Sequence, residues 1–206
     1  MKLVANVLFA AALVAGTANV AQAAGDAEAG KNKSAVCGAC HGADGNSAIP
    51  NFPKLAGQVE SYTIKQLKDM KSGDRQVPEM AGIVPGLSEQ DMADLAAYYA
   101  YLPRLPGFHP DRDKPAPRIV INGAPLRNIA PCGSCHGVLD NKTGSPWLEG
   151  QPAAYVKSQL QAFASGTRRN DISQQMRNIA RKMTPEEIDQ AAEWYASQPS
   201  TTIHTQ

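Results

Sequence analysis

Cys37-Gly38-Ala39-Cys40-His41 and Cys132-Gly133-Ser134-Cys135-His136 are two copies of one pattern, and together they use all four cysteines of the chain. The copies stand 95 residues apart, and the likeness runs on from both. After a two-residue shortening the offset becomes 93, which pairs Pro53 with Pro146, Gly57-Gln58 with Gly150-Gln151 and Tyr62 with Tyr155. The same offset pairs Leu67 with Leu160, Gly73 with Gly166 and Arg75 with Arg168. Three extra residues in the second half then move it to 96, pairing Met80 with Met176, Leu87 with Met183, Tyr99 with Tyr195 and Pro103 with Pro199. Matches in a single order, with two small shifts, mean a duplicated unit.

Each copy reads as helical. Ser88-Glu89-Gln90-Asp91 resembles a capping box with Asp in place of Glu, and Met92, Leu95, Ala96 and Tyr99 follow as one apolar stripe at helical spacing. Thr184-Pro185-Glu186-Glu187 supplies a cap, a proline at the first helical position and an acid at the third, ahead of Ile188, Ala191, Ala192 and Tyr195. A middle helix from about Ser61 to Lys71 matches one around Tyr155–Phe163, and a short helix is expected to run into each cysteine pair. No stretch alternates long enough for a sheet, so the expected fold is all-α, twice. Residues 103–117 contain five prolines and read as a stiff, extended linker. The expected layout is residues 24–102, a linker 103–117, and residues 118–206.

Residues 1–23 read as an export signal: Lys2, an apolar run from Leu3 to Ala18, and Ala21-Gln22-Ala23 as a cleavage site. Cleavage after Ala23 removes Lys2 and no acid, leaving the mature side-chain charges balanced and its expected place the periplasm. With 20 Lys+Arg against 19 Asp+Glu in the full chain, nothing points to nucleic acid. Only 6% of residues are aromatic, thin provision for two small cores, which usually need a staple.

The repeated motif supplies one. C-x-x-C-H is the attachment signature of c-type haem: two thiols three positions apart on a helical turn can each form a thioether to the porphyrin, and the next residue turns its imidazole to the iron. A disulfide within C-x-x-C closes too short a loop to stabilise much and has no use for the histidine. A zinc site would need the two distant pairs brought together, and a thioredoxin-like motif wants a βαβ setting that is absent. The expected cofactors are two covalently bound haem c groups, held by Cys37, Cys40, His41 and by Cys132, Cys135, His136.

A haem with a histidine on one face commonly takes methionine on the other. Met70 aligns with Phe163, Met92 with Ile188 and Met183 with Leu87, so these behave as exchangeable core residues. Met80 and Met176 align with each other, which makes the expected metal ligands His41 with Met80 and His136 with Met176. His109 and His204 read as solvated. Pro53 and Pro146 are candidates to accept a hydrogen bond from the second ring nitrogen of each ligating histidine. Arg75 and Arg168 either meet haem propionates or are exposed helix-end residues.

The run CGACHGADGNSAIPNFPKLAGQ (residues 37–58), the Arg75…Met80…LSEQDMADLAAYY stretch and the second haem unit resemble the dihaem cytochrome c4 family over essentially the whole chain after the export signal. The resemblance implies two class-I cytochrome c domains with His/Met-ligated haems. It also implies a periplasmic electron carrier serving a terminal oxidase, in some members loosely held at the membrane. The second loop, HGVLDNKTGSPWLEGQ, is shorter than the first and lacks its Asn-Phe-Pro.

Function then reads as one-electron transfer to a membrane oxidase or cytochrome complex, without substrate chemistry, because both axial positions are filled. Balanced charge gives no strong global steering and leaves docking to local patches. One rival is the cytochrome subunit of a flavocytochrome-type dehydrogenase such as sulfide dehydrogenase. Another is a dihaem peroxidase, which needs an open iron. A third is a zinc or disulfide protein with no haem.

Overall fold

The structure, a computed structural model, describes residues 24–137 and 142–199. The export signal expected at 1–23 and His204 lie outside the described residues. In the first half, Asp26 caps α1 (Ala27–Lys33) by accepting the Glu28 and Ala29 N–H groups at 2.8 and 3.2 Å. A 3-10 turn over Ser34–Val36 leads into α2 (Gly38–His41). Helix α3 (Glu60–Ser72) outruns the expected Ser61–Lys71 by one residue at each end and stops on Gly73, whose φ of +88° suits glycine. Helix α4 (Glu89–Tyr101) begins with the Ser88/Asp91 capping box expected from the sequence.

The second half repeats the plan with α5 (Arg118–Ile121), α6 (Ala153–Ser165), α7 (Gln175–Ala180) and α8 (Pro185–Ser197). Thr184 and Glu187 form the second capping box. Among the described residues there is no strand, and Ala124 and Ile129 form an isolated bridge. The fold is all-α. The apolar stripes face inward as spaced: Met92, Leu95, Ala96 and Tyr99 are buried on α4, and Ile188, Ala191, Ala192 and Tyr195 on α8.

One expectation fails at the second motif. The lead-in helix α5 is a single turn and ends well before Cys132. Gly123 and Asn128 adopt positive φ, and Pro125 starts a separate 3-10 turn, so the chain bends where α1 runs on. The two copies differ at the decisive position. Gly30 lets α1 cross α4 closely; a Cβ there would lie 2.0 Å from the Asp94 carbonyl oxygen. Asp94 locks that crossing, accepting from the Asp26 N–H at 2.9 Å and from Lys33 Nζ at 2.6 Å. At the motif's offset the residues of α1 correspond to 122–128, which form no α-helix and carry Pro125, the start of a 3-10 turn, where the first copy has Gly30.

The halves are joined by reciprocal bonds between equivalent residues. Gln58 accepts from the Trp147 N–H at 2.9 Å and donates to the Trp147 carbonyl at 3.2 Å. Gln151 does the same to Lys54, at 3.0 and 2.7 Å. Each amide thus mimics a strand edge for one residue of the other half.

Residues 103–117 do not stand off as an extended spacer. Asn46 binds Pro103 O and the Leu105 N–H at 3.0 and 2.8 Å, and the buried Lys54 Nζ donates to the Leu105 and Pro106 carbonyls at 3.1 and 2.6 Å. Farther on, Asp111 N–H donates to Ser197 O at 2.8 Å. Arg104 lies 4.7 Å over the Trp147 ring and 3.8 Å from Glu149. The prolines stiffen a strap laced to both halves, because its carbonyls and side chains find partners on each side.

Two stability outcomes follow from these contacts. Ser88→Ala removes one cap and should lower stability by about 1 kcal/mol in denaturant unfolding of the haem-loaded protein. Gln151→Leu strands the buried Lys54 N–H and carbonyl and should cost about 1–3 kcal/mol in the same measurement; a change below the cap variant's would show that water replaces the bond.

Candidate functional site

Each cysteine pair sits on a tight turn. In the first copy the Cys40 and His41 N–H groups return to the Cys37 carbonyl at 3.2 and 2.9 Å, and in the second Cys135 and His136 return to Cys132 at 3.2 and 3.0 Å. The turn puts each histidine inside, 7% exposed for His41 and 8% for His136. His41 Nδ1 lies 2.8 Å from the Pro53 carbonyl and His136 Nδ1 lies 2.9 Å from the Pro146 carbonyl. A carbonyl only accepts, so Nδ1 carries the proton and donates, leaving the Nε2 lone pair unprotonated. Burial lowers both imidazole pKa values, with the proline bond opposing, so the neutral ring is favoured. The sequence-based expectation for Pro53 and Pro146 holds in both copies.

The proline loops are themselves fixed from the last helix of each half. Gly57 N–H donates to Tyr99 O at 2.7 Å, and Gly150 N–H to Tyr195 O at 2.9 Å. These are carbonyls of a last helical turn, which also accept the C-cap N–H groups of Leu102 and Gln198, both at 3.2 Å. The stripe that packs α4 and α8 therefore also sets the height of each imidazole.

The histidines open onto one continuous cavity of about 620 Å3, largely apolar and shared by the two halves. Cys37, His41 and Met80 line it from the first half; Cys132, Cys135, His136 and Met176 line it from the second. Cys40 is half-buried on α2 and is not part of the lining. None of the four thiols is in a disulfide. Burial raises the Cys37 thiol and pushes Cys132 up to about 11. His109 is exposed, as expected of a solvated residue. Met92 and Met183 are buried core residues, as the alignment implied, although Met183 and Met70 also reach the cavity wall.

Arg75 and Arg168 are buried, which removes the exposed helix-end reading. They meet across the halves. Arg75 donates to Gln66 at 2.9 Å in its own half and to Tyr155 and Gln159, both at 3.1 Å, in the other. Arg168 mirrors it, donating to Gln159 at 2.7 Å and across to Tyr62 and Gln66 at 3.2 and 2.9 Å. All these partners are neutral oxygens, and among the described residues no carboxylate pairs with either guanidinium. Asp69, whose field reaches Arg75, is bonded to Lys65 and Asn170.

Two buried cations beside an apolar cavity call for anions, and haem propionates are carboxylates. Two proton-fixed imidazoles, paired thiols on turns and methionine sulfurs complete a donor set that fits haem c. Sequence reasoning overlooked Gln66 and Gln159, and it aligned Gln58, Gln151, Tyr62 and Tyr155 without giving them a role. The signal was there: polar residues kept at duplicated positions within apolar helical stretches.

Comparisons with known proteins agree. The family model for cytochrome c matches residues 27–102. A cytochrome c4 of Pseudomonas aeruginosa is 46% identical over 181 residues, covering 85% of this chain and 90% of that protein. A thiosulfate dehydrogenase electron acceptor of Stutzerimonas stutzeri is 38% identical, covering 82% of each. The crystal structure of reduced recombinant cytochrome c4 from Pseudomonas stutzeri superposes with a TM-score of 0.79 at 42% identity, covering 85% of this chain and all of that one. Two covalently bound haem c groups and an electron-carrying role go with this likeness. On sequence and on fold alike, the chain belongs to the dihaem cytochrome c4 family.

Proposed function

We propose that the chain is a periplasmic carrier that delivers electrons one at a time to a membrane terminal oxidase. In this reading Cys37 and Cys40 anchor the first haem and Cys132 and Cys135 the second. The axial ligands are His41 with Met80 and His136 with Met176. Each haem supplies a one-electron iron couple, whose potential a methionine ligand raises. The chain's own residues bind, orient and shield. The proline carbonyls hold each imidazole neutral and fixed in orientation, and the apolar walls would keep water from a bound haem. Arg75 and Arg168 balance propionate charge at the seam, and filled axial positions leave no place for substrate.

The observation that carries this reading is the repeated trio of a proline-tied histidine, a cysteine pair on a turn, and an aligned methionine on one shared cavity. The expected domains, 24–102 and 118–206 with 103–117 as a strap, give one haem to each half. An export signal at 1–23 with cleavage near Ala23 suits the compartment, and peripheral membrane contact suits an oxidase partner. Among the described residues no helix is long and apolar enough to cross a membrane.

A second reading rests on the thiosulfate dehydrogenase electron acceptor to which the chain is 38% identical. There the donor is a thiosulfate dehydrogenase, a likeness compatible with service to a dehydrogenase such as the flavocytochrome-type alternative. Reduced protein mixed with oxidase-containing membranes should reoxidise with oxygen uptake. Failure there, together with stoichiometric co-purification of a flavin subunit, overturns the carrier reading.

Ligation is checked by optical redox titration. Met80→Ala and Met176→Ala should each abolish about half of the far-red band of Met-ligated ferric haem. Each should also lower one transition by about 0.1 V or more, within the ~0.8 V span that axial ligands command. Both haems should stay attached on a denaturing gel. A full band in either variant removes that methionine as a ligand.

A further inference from the structure

The two methionine-bearing segments are held by different means. In the first half the segment is stiffened covalently: Pro78 opens a 3-10 turn over Pro78–Met80, and the Met80 N–H donates to Val77 O at 2.9 Å. The second half has three extra residues and no proline there, running Asp171-Ile172-Ser173-Gln174-Gln175-Met176. Ser173 and Gln174 take left-handed φ values of +50° and +58° in succession. L-residues with side chains visit this region rarely and singly, so the surrounding structure must hold them there.

What holds them is one carboxylate. Asp171 Oδ2 accepts the Arg177 N–H at 2.9 Å, and Oδ1 accepts Arg177 Nε at 2.7 Å. The carboxylate side chain is 3% exposed, so water scarcely competes for it. Asp171 thus grips both backbone and side chain of the residue after Met176 and closes the loop at its ends. Its anchor is fixed in turn. The preceding Asn170 donates to Gln66 and Asp69 of α3 at 2.8 and 2.6 Å and accepts from Lys65 at 2.8 Å. Ile172 covers Gly144, where a Cβ would come within 2.4 Å of its Cδ1.

We propose that Asp171 is a positioning residue for the second haem. With Arg177 it clamps a strained loop against α3 of the first half and keeps Met176 turned to the iron, a task that Pro78 performs for Met80 without a clamp. The second methionine is therefore the more readily displaced of the two. This rests on Met176 being the axial ligand.

The test uses the full protein with both haems attached. Asp171→Asn should lose about half of the far-red Met–Fe(III) band and bind imidazole at one site about tenfold more tightly, with both haems retained on a denaturing gel. Adding Ser173→Gly and Gln174→Gly to that variant should restore the band, because glycine takes left-handed φ without steric cost; general destabilisation would not be rescued this way. If the Asp171→Asn protein does not accumulate, Arg177→Gln, which keeps the backbone bond, should show the same change in smaller measure. A full band and unchanged imidazole affinity in these variants, while Met176→Ala loses half its band, overturn the clamp. A full band in Met176→Ala instead overturns the ligand assignment beneath it.

Discussion

The bond from each histidine's Nδ1 to a proline carbonyl is the interaction on which the rest of this molecule depends. It commits the ring to one tautomer, leaves Nε2 unprotonated and sets the ring's orientation against the cavity. Proline suits the acceptor's place, since it brings no N–H that must be satisfied in a dry site. The bond can form only where the loop is held at the right height. That is done by Gly57 and Gly150 reaching the Tyr99 and Tyr195 carbonyls. The terminal helices of the two halves therefore do two things at once: one face packs the core, and the end of the same helix holds the loop that carries the histidine's acceptor.

The seam between the halves obeys a different constraint. It buries two guanidiniums and the glutamines Gln58, Gln66 and Gln151 and half-buries Gln159 and the two tyrosines that accept from the guanidiniums, and burying such groups costs free energy unless each finds a partner. Duplication solves the pairing. Whatever Arg75 needs from Gln159 and Tyr155, Arg168 needs from Gln66 and Tyr62, so one set of residues serves both sides. Neither guanidinium pairs with a carboxylate among the described residues, which suits the propionate role proposed for them. This explains how a seam of polar groups can stand beside an apolar cavity without being a weak point.

The copies have diverged where symmetry was not required. Gly30 allows a close helix crossing in the first half, while the second has only the single turn of α5, whose Ile119 and Val120 join Ile129, Met183, Ile188, Ala191 and Tyr195 in its core. The methionine segments differ likewise, a proline turn in one and a buried ion pair over a strained loop in the other. The thin supply of aromatic residues fits the same picture, for haem c brings apolar bulk of its own and the shared cavity is largely apolar.

Much of this was legible in the sequence, because covalent spacing and helical periodicity are local. The C-x-x-C-H turns, both capping boxes, the stripes of α4 and α8 and the proline acceptors all follow from neighbours in the chain or from aligning one copy on the other. The burial of Arg75 and Arg168, the glutamine clasps on Trp147 and Lys54, and the lacing of residues 103–117 do not. Each depends on which residues of one half meet the other, and a repeat read along the chain shows that two units are alike without showing which faces they share. The sequence by itself determined the cofactor motifs and the helices that carry them. Only the tertiary structure decided how the halves close, because buried polar groups are satisfied in space by partners about ninety residues away.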